Sequence, residues 1–320
     1  MTPQRDVIFV TGASGFVGRR VVKKLVSQNF AVRALVRQAP ARSFDPSVEI
    51  VTGDLRRPDT LRAGLEGAAA IVHGALTDDR SADVQLSCGL FELGAQAGVR
   101  KFVHLSSIVI YGSPAEGIIT EDTPPLPSPD AYSTTKLAIE KELIERRSIP
   151  EFCILRLGCV YGAGGGWWTD GLLRLMQRGR LIVVDGGSGI ANLIHVDDVA
   201  AVVSVLLARS NAPLEIYNVT DGGQVTWSRY YSELEAVLGR PAISAMSASE
   251  AVEYGRKWLA PSLARRVIRK LKGASFVHPL EETAVRAFTS RAVYSNDKLV
   301  ADLGFRPSFE MPEGILNPKD

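Results

Sequence analysis

The chain has 320 residues, 46% of them hydrophobic and 22% charged, with a formal net charge of +2. That balance suits a soluble globular protein with a sizeable core, built as one large domain or as one plus a smaller lobe. It excludes the strong cationic field that recruits nucleic acid, and no run of about 18 apolar residues predicts a membrane span. Three cysteines, Cys88, Cys153 and Cys159, show neither paired metal spacing nor a disulfide framework. No metal site is therefore expected, and a reducing compartment is. Residues Met1 to Asp6 run straight into the first strand without a signal-peptide pattern, so a cytoplasmic location is the expectation.

The apolar run Val7 to Val10 predicts a strand, and the amphipathic stretch Arg19 to Gln28 predicts a helix. Between them lies Thr11-Gly12-Ala13-Ser14-Gly15-Phe16-Val17-Gly18. In such a turn Gly12 permits the sharp reversal, Gly15 lets backbone approach a pyrophosphate and Gly18 lets helix and strand pack closely. The helix then directs unpaired N–H groups and its positive dipole end at the phosphates.

Ala31 to Val36 reads as a buried strand closed by Arg37, where a dinucleotide fold meets the adenosine ribose. An acidic residue there would accept a bond from a 2′-hydroxyl, whereas arginine accommodates a 2′-phosphate. Arg37, helped by Arg42, favours NADP over NAD. Glu49 to Thr52 is a third strand, followed by Gly53-Asp54-Leu55. Asp54 is placed either to accept a bond from the adenine amino group or to cap a helix starting near Pro58.

Ala69 to His73 is a fourth strand, and Gly74-Ala75 would let backbone lie beside the cofactor. His73 reads as a strand-end side chain rather than a catalyst. A helix over Asp83 to Ala97 leads to a fifth strand, Lys101 to Leu105, ending in Ser106-Ser107. Strands alternate with helical segments throughout this half, which predicts an α/β fold with a doubly wound parallel sheet. Its ligand should lie outside the carboxyl ends of the strands.

A proline-containing loop around Glu121 to Pro125 precedes a helix over Ala131 to Arg147. On it Tyr132 and Lys136, four residues apart, project from one face. A phenol of ordinary pKa about 10 is a poor acid or base at neutral pH, but a nearby ammonium favours the phenolate. So tuned, Tyr132 could exchange a proton with an alcohol or carbonyl oxygen, and Ser107 would add a second hydrogen bond to that oxygen.

The second half is less regular. Phe152 to Leu157 is a sixth strand, and Gly158 to Val160 should pass the nicotinamide mainly through backbone. Gly162 to Trp168 is a glycine-rich loop with a bulky end, either a substrate lid or a segment whose Trp167 and Trp168 pack on a helix from Thr169 to Arg178. Leu181 to Val184 and Asn192 to Val196 are short strands. Asp197-Asp198 open a helix as cap and dipole partners, and His195 is read as structural. Glu215 to Val219 is a strand, and Thr226 caps a helix through Leu238. The segment Ser262 to Lys272 reads as a basic helix with a solvated face over a core stripe.

The motifs T-G-A-S-G-F-V-G at 11–18, G-D-L at 53–55, S-S-I-V-I-Y-G at 106–112 and Y-S-T-T-K at 132–136 are joined by two later ones. These are L-R-L-G-C-V-Y-G at 155–162 and I-H-V-D-D-V-A at 194–200. In them the chain resembles the extended short-chain dehydrogenase/reductases, of the NAD-dependent epimerase/dehydratase class. The hydroxysteroid-dehydrogenase and dihydroflavonol-reductase branch is nearest.

The resemblance implies a Rossmann-type sheet in residues 1–162, rejoined by strands from about 190–220, and a mainly substrate-binding lobe in 163–320. It implies a Ser107–Tyr132–Lys136 catalytic set, with Lys136 also bonding the nicotinamide ribose. Cofactor contacts fall on Gly12, Ser14, Gly15, Phe16, Val17, Gly18, Arg37, Asp54, Leu55, Gly74, Ala75, Leu105, Tyr132, Lys136, Leu157, Gly158 and Val160. Substrate contacts fall on Ser107, Tyr132, Trp167 and Trp168. Asn296 to Phe309 resembles the closing helix and turn, and a homodimer through the helices at 83–97 and 131–147 is expected.

Three chemistries share this set: reversible hydride transfer, nucleotide-sugar epimerisation or 4-reduction, and sugar 4,6-dehydration. Dehydratases carry an Asp-Glu pair where this chain has Ile108-Val109. Many nucleotide-sugar members carry an asparagine where it has Cys159, a poor hydrogen-bonding substitute. The expectation is an NADP-preferring oxidoreductase for a carbonyl/secondary alcohol pair. A non-catalytic dinucleotide sensor is the alternative of another class.

Overall fold

The computed structural model describes residues 6–38, 44–210, 213–223, 225–239, 243–259 and 279–308. Arg42, the basic segment 262–272 and Phe309 lie outside the described residues. In the first half the chain forms β1 (Val7–Thr11), α1 (Phe16–Ser27), β2 (Ala31–Val36), β3 (Glu49–Thr52) and α2 (Asp59–Leu65). It continues with β4 (Ala68–His73), α3 (Arg80–Gln96), β5 (Lys101–Ser107), β6 (Ile118–Ile119), α4 (Ala131–Arg146) and β7 (Glu151–Leu157). Then come β8 (Cys159–Tyr161), α5 (Leu172–Gln177), β9 (Leu181–Val184), β10 (Leu193–His195), α6 (Val196–Ala208) and β11 (Glu215–Val219). The last elements are α7 (Trp227–Leu238), β12 (Ile243–Met246), α8 (Ala248–Leu259), α9 (Glu282–Thr289), β13 (Val293–Tyr294) and α10 (Asp297–Leu303).

Seven parallel strands make the main sheet, in the order β11-β7-β5-β4-β1-β2-β3. The order reverses beside β1, so a crevice opens at the carboxyl ends of β1 and β4. Strand alternation assigns the two faces. Ile8, Val10, Val103 and Leu155 join Val21, Val22 and Leu25 of α1 and Val199 and Val203 of α6 in one core. Phe9, Ile71, Phe102 and Phe152 join Phe91 of α3 and Ile139 and Leu143 of α4 in the other. There Phe91 meets Phe102 and Phe152 edge-on, at 5.0 and 5.4 Å between ring centroids. A third core, around Met176, β9, Trp227, Tyr230 and Phe288, sustains the smaller lobe. Among the described residues no helix is long and apolar enough to cross a membrane.

Three local expectations are corrected. Asp54 does not cap α2; its Oδ1 accepts from the Arg56 N–H at 2.9 Å, a turn closed before the helix begins. His195, not the acidic pair, caps α6 by accepting from the Asp197 N–H at 3.2 Å, while Asp197 and Asp198 sit in the first turn. The helix expected from Thr169 starts earlier, as a π-helical turn over Gly166–Gly171 that carries both tryptophans and runs into α5.

His73 and His104 face each other across β4 and β5 with rings 5.5 Å apart, both fully buried. His73 bonds Thr11 Oγ1 at 2.8 Å and Ser87 Oγ at 3.0 Å, whereas both ring nitrogens of His104 lack a hydrogen-bond partner among the described residues. Burial, then the charge of Lys136, pushes His73 down to about 3 and His104 well below its ordinary value. As pH falls below the unfolded value of about 6.5, the unfolded chain takes up protons that these rings refuse, so stability is lost in that interval. We expect His104→Leu, which removes an unsatisfied buried group, to stabilise the fold by about 1 kcal/mol near neutral pH and by more near pH ~5. Urea unfolding at both pH values checks this, and an equal effect at both would contradict it.

Candidate active site

The turn after β1 is closed by contact. Gly12 has φ +68°, and a Cβ on it would stand 2.8 Å from the Gly74 carbonyl carbon at the end of β4. A Cβ on Gly18 would stand 2.1 Å from the Gly12 oxygen, so only glycine lets α1 sit against the turn. Gly15 caps α1 without a side-chain hydrogen bond. The first-turn N–H groups are thus left for an anion at the mouth of the crevice, beside exposed Ser14 and Gly15. This cradle, whose turn a Cβ on Gly12 or Gly18 would break, fits the pyrophosphate of a dinucleotide.

Ser107 ends β5, and Tyr132 and Lys136 follow the α4 N-cap Asp130, which accepts from the Ser133 N–H at 2.9 Å. The structure brings all three together. The Tyr132 and Ser107 hydroxyls share a hydrogen bond, and Lys136 Nζ donates to the Leu105 carbonyl at 2.7 Å. Burial pushes the Lys136 ammonium down to about 8, with Glu140 opposing and Arg80 assisting.

The electrostatics of Tyr132 differ from expectation. Burial raises its phenol above the ordinary value; the Ser107 hydrogen bond and the charge of Arg80 oppose that rise, while Asp130 and Cys159 add to it. Lys136 Nζ lies 6.0 Å from the ring centroid and donates a hydrogen bond to the Leu105 carbonyl rather than to the phenol. The phenol at rest therefore keeps its proton at neutral pH.

Around this group lies a cavity of about 410 Å³. Phe16, Val17, Gly74, Leu105, Leu157, Gly158 and Val160, which the sequence assigned to the cofactor, line it. Trp167 and Trp168 also line it and have separate roles. Trp168 packs on Trp227 at 5.2 Å, while Trp167 remains 52% exposed at the rim. Four glycines at 162, 164, 165 and 166 hold positive φ, and Gly165 and Gly166 lie against the Phe16 ring.

Ile108, Val109 and Cys159 also line the cavity; burial pushes the Cys159 thiol up, so it stays protonated and uncharged. Arg37, Asp54, Leu55 and Ala75 are not in this cavity. Arg37 is exposed at the end of β2, and Gly53, preceding Asp54, bonds back to the Val36 carbonyl at 2.9 Å. That edge is where the adenosine end of a dinucleotide would lie.

Sequence reasoning missed several residues. Trp227, Asn192 and Tyr294 line the cavity from distant elements, and no local signal marks them. Glu140 was detectable, one turn beyond Lys136 on the same face. It receives Arg156, with Nη2–Oε2 at 2.9 Å, and a hydrogen bond from Ser106, all buried.

The fold and the cavity together define a class, the nicotinamide-dependent oxidoreductases built on a doubly wound sheet. Within it, residues 8–220 match the NAD dependent epimerase/dehydratase family, and the chain belongs to that family. It is 26% identical over 326 residues to the 4-hydroxy-2-methyl-3-oxo-4-farnesyl-3,4-dihydroquinoline-1-oxide ketoreductase of Stigmatella aurantiaca, covering 96% of this chain and 94% of that protein. It is 30% identical over 251 residues to the ceramide reductase of Caulobacter vibrioides, covering 74% and 72%. MoeE5, solved in complex with UDP-glucuronic acid and NAD, superposes with a TM-score of 0.72 at 22% identity, over 97% of this chain and 96% of that one. The protein is accordingly an NAD(P)-dependent oxidoreductase, and the sensor alternative falls away.

Proposed function

We propose that this enzyme is an NADP-preferring reductase that interconverts a ketone or aldehyde with the corresponding alcohol on an apolar ligand. One observation carries the reading: Ser107, Tyr132 and Lys136 meet at a cavity walled by Ile108, Val109, Trp168, Trp227 and Tyr294, with no carboxylate among its described lining residues. The relatives named as reductases of a farnesyl quinoline oxide and of ceramide support an apolar ligand. Ile108 and Val109 cannot act as acid or base, which argues against dehydration. Cys159 in the wall argues against nucleotide-sugar epimerisation, the second reading.

Gly12, Gly15, Gly18 and the α1 N-terminus would hold the pyrophosphate, Arg37 the 2′-phosphate, and Lys136 the nicotinamide ribose. When bound, the nicotinamide supplies the hydride to the carbonyl carbon. Ser107 orients the carbonyl oxygen by a hydrogen bond. Tyr132 gives that oxygen its phenolic proton, completing the alcohol, and is reprotonated from solvent. Because burial raises the free phenol above its ordinary value, it holds its proton at neutral pH and rests in the form that can donate it. A cytoplasmic homodimer through α3 and α4 belongs to the same reading.

Arg37→Ala is expected to weaken NADPH binding about 10–100-fold and to leave NADH nearly unchanged, as for one charge-assisted phosphate contact. Calorimetric titration of both cofactors tests this. Equal loss for both, or NAD retained through purification, would move epimerisation to first place. Oxidation of NADPH across a panel of apolar ketones and aldehydes then tests the substrate.

A further inference from the structure

Lys136 Nζ donates to the Leu105 carbonyl and keeps its charge 6.0 Å from the Tyr132 ring centroid. A second cation stands nearer. Arg80, the first residue of α3, holds its Cζ 5.7 Å from the Tyr132 ring centroid, over the ring face. Its position is built. Nη1 donates to the Thr77 carbonyl at 2.9 Å and to Asp83 Oδ2 at 3.2 Å. Asp83 is itself buried, and its other oxygen accepts from the Thr77 N–H at 2.8 Å. The Arg80 carbonyl accepts from Thr135 Oγ1 at 3.4 Å, which ties this residue to the helix that carries Tyr132.

We propose that Arg80, clamped by Asp83 and Thr77, is a positioning residue that holds the Tyr132 ring by a cation–π contact and supplies the positive charge that favours its phenolate. Its charge adds to that of Lys136, whose Nζ lies 6.0 Å from the same ring centroid. Arg80 does not line the cavity and does not touch a reacting atom. It acts through Tyr132, within the range at which a cation and a ring face attract.

The groups that face Tyr132 come from every neighbouring element. Ser107 lies on β5, Asp130 at the cap of α4, Cys159 on β8, Arg80 on α3 and Lys136 one turn along α4. Arg80 opposes the effect of burial, while Asp130 and Cys159 add to it. Removing the guanidinium therefore leaves burial less opposed, and the phenolate forms at higher pH. Asp83 stays behind as a buried carboxylate in that variant, which pushes in the same direction.

The test rests on Tyr132 as the proton-transferring group and uses two readouts, one independent of turnover. In the alcohol-oxidising direction, kcat/KM is measured against pH for the wild type, Arg80→Gln and Arg80→Lys. Arg80→Gln is expected to move the acid limb of the profile to higher pH and to lower kcat/KM near pH ~7 about tenfold, with the KM for NADP little changed. Arg80→Lys, which keeps the charge, is expected to return the limb most of the way.

In parallel, ultraviolet titration follows tyrosine ionisation in each protein against the same protein carrying Tyr132→Phe. The Tyr132 component is expected at higher pH in Arg80→Gln than in wild type. An unmoved limb and an unmoved Tyr132 component in Arg80→Gln would overturn the proposal, as would a shift that Arg80→Lys does not reverse. A moved Tyr132 component in a protein whose turnover ignores Tyr132→Phe would support the electrostatic role of Arg80 and reject Tyr132 as the proton donor.

Discussion

Tyr132→Phe is expected to lower carbonyl reduction by about 10²–10⁴-fold while the protein folds and binds cofactor as before. In the proposed mechanism the phenol protonates the nascent alkoxide, and Tyr132 is 38% exposed at the cavity wall, so losing one hydroxyl removes little buried contact. Ser107 would remain to hydrogen-bond the substrate oxygen, and its hydroxyl is a far weaker acid than the phenol it replaces in that role. The hydride step would then leave a charge on oxygen that only water can neutralise. Single-turnover reduction of a ketone, with cofactor affinity and thermal midpoint measured on the same preparation, checks all three statements. Turnover at the wild-type rate would remove Tyr132 from the mechanism.

Glu140→Leu is expected to cost about 3–5 kcal/mol of folding stability, the largest single loss on the sheet side of the site. Glu140 and Arg156 are both buried, and the guanidinium reaches the carboxylate through Nη2 at 2.9 Å and Nε at 3.2 Å. Ser106 donates to the same carboxylate, and Arg156 also bonds the Tyr111 hydroxyl at 2.6 Å, whose other partner is Asn218 Oδ1 at 2.9 Å. Removing the acid leaves a buried cation without its counter-charge.

Replacing both partners, as Glu140→Leu with Arg156→Met, is expected to recover much of that loss, because no charge then remains to be desolvated. Urea unfolding of the two single variants and the double variant gives the coupling directly. The same substitution reaches the chemistry. Glu140 opposes the fall in the Lys136 pKa, so without it the ammonium loses its proton below its present value of about 8.

The first half of the fold was legible because each element carries its own period. Val7 to Thr11, Ala31 to Val36 and Glu49 to Thr52 are short apolar or β-branched runs cut off by glycine or charge, and they form β1, β2 and β3 within a residue or two of the expected bounds. Thr226 caps α7 as read, since its hydroxyl accepts from the Arg229 N–H at 3.3 Å. Capping at α6 was misread because His195 and Asp197 offer acceptors two residues apart. Backbone geometry, which composition does not encode, chooses among them.

The charges of the site were legible in kind but not in pairing. Tyr132 and Lys136 share a helix face, so their spacing suggested that one tunes the other. Arg80 sits more than fifty residues earlier, in a polar stretch that reads as an ordinary helix start. Its approach to the phenol exists only because α3 and α4 pack side by side on the sheet. His104 was hidden for the opposite reason, inside a strand where Phe102, Val103 and Leu105 are its neighbours.

The sequence by itself determined the order of strands and helices, the glycine turn and the set Ser107, Tyr132 and Lys136. Those features are local, carried by apolar periodicity, by positions where a Cβ cannot fit and by residues one helical turn apart. Only the tertiary structure decided that Arg80 stands beside the Tyr132 ring as Lys136 does, which acid holds Arg156, and which aromatic residues wall the cavity. Those depend on long-range packing, which brings Trp227 and Tyr294 into the same cavity lining as Ser107 of β5 and Tyr132 of α4, and on burial. Burial raised the phenol and lowered the ammonium, and that desolvation follows from the whole fold rather than from any stretch of chain.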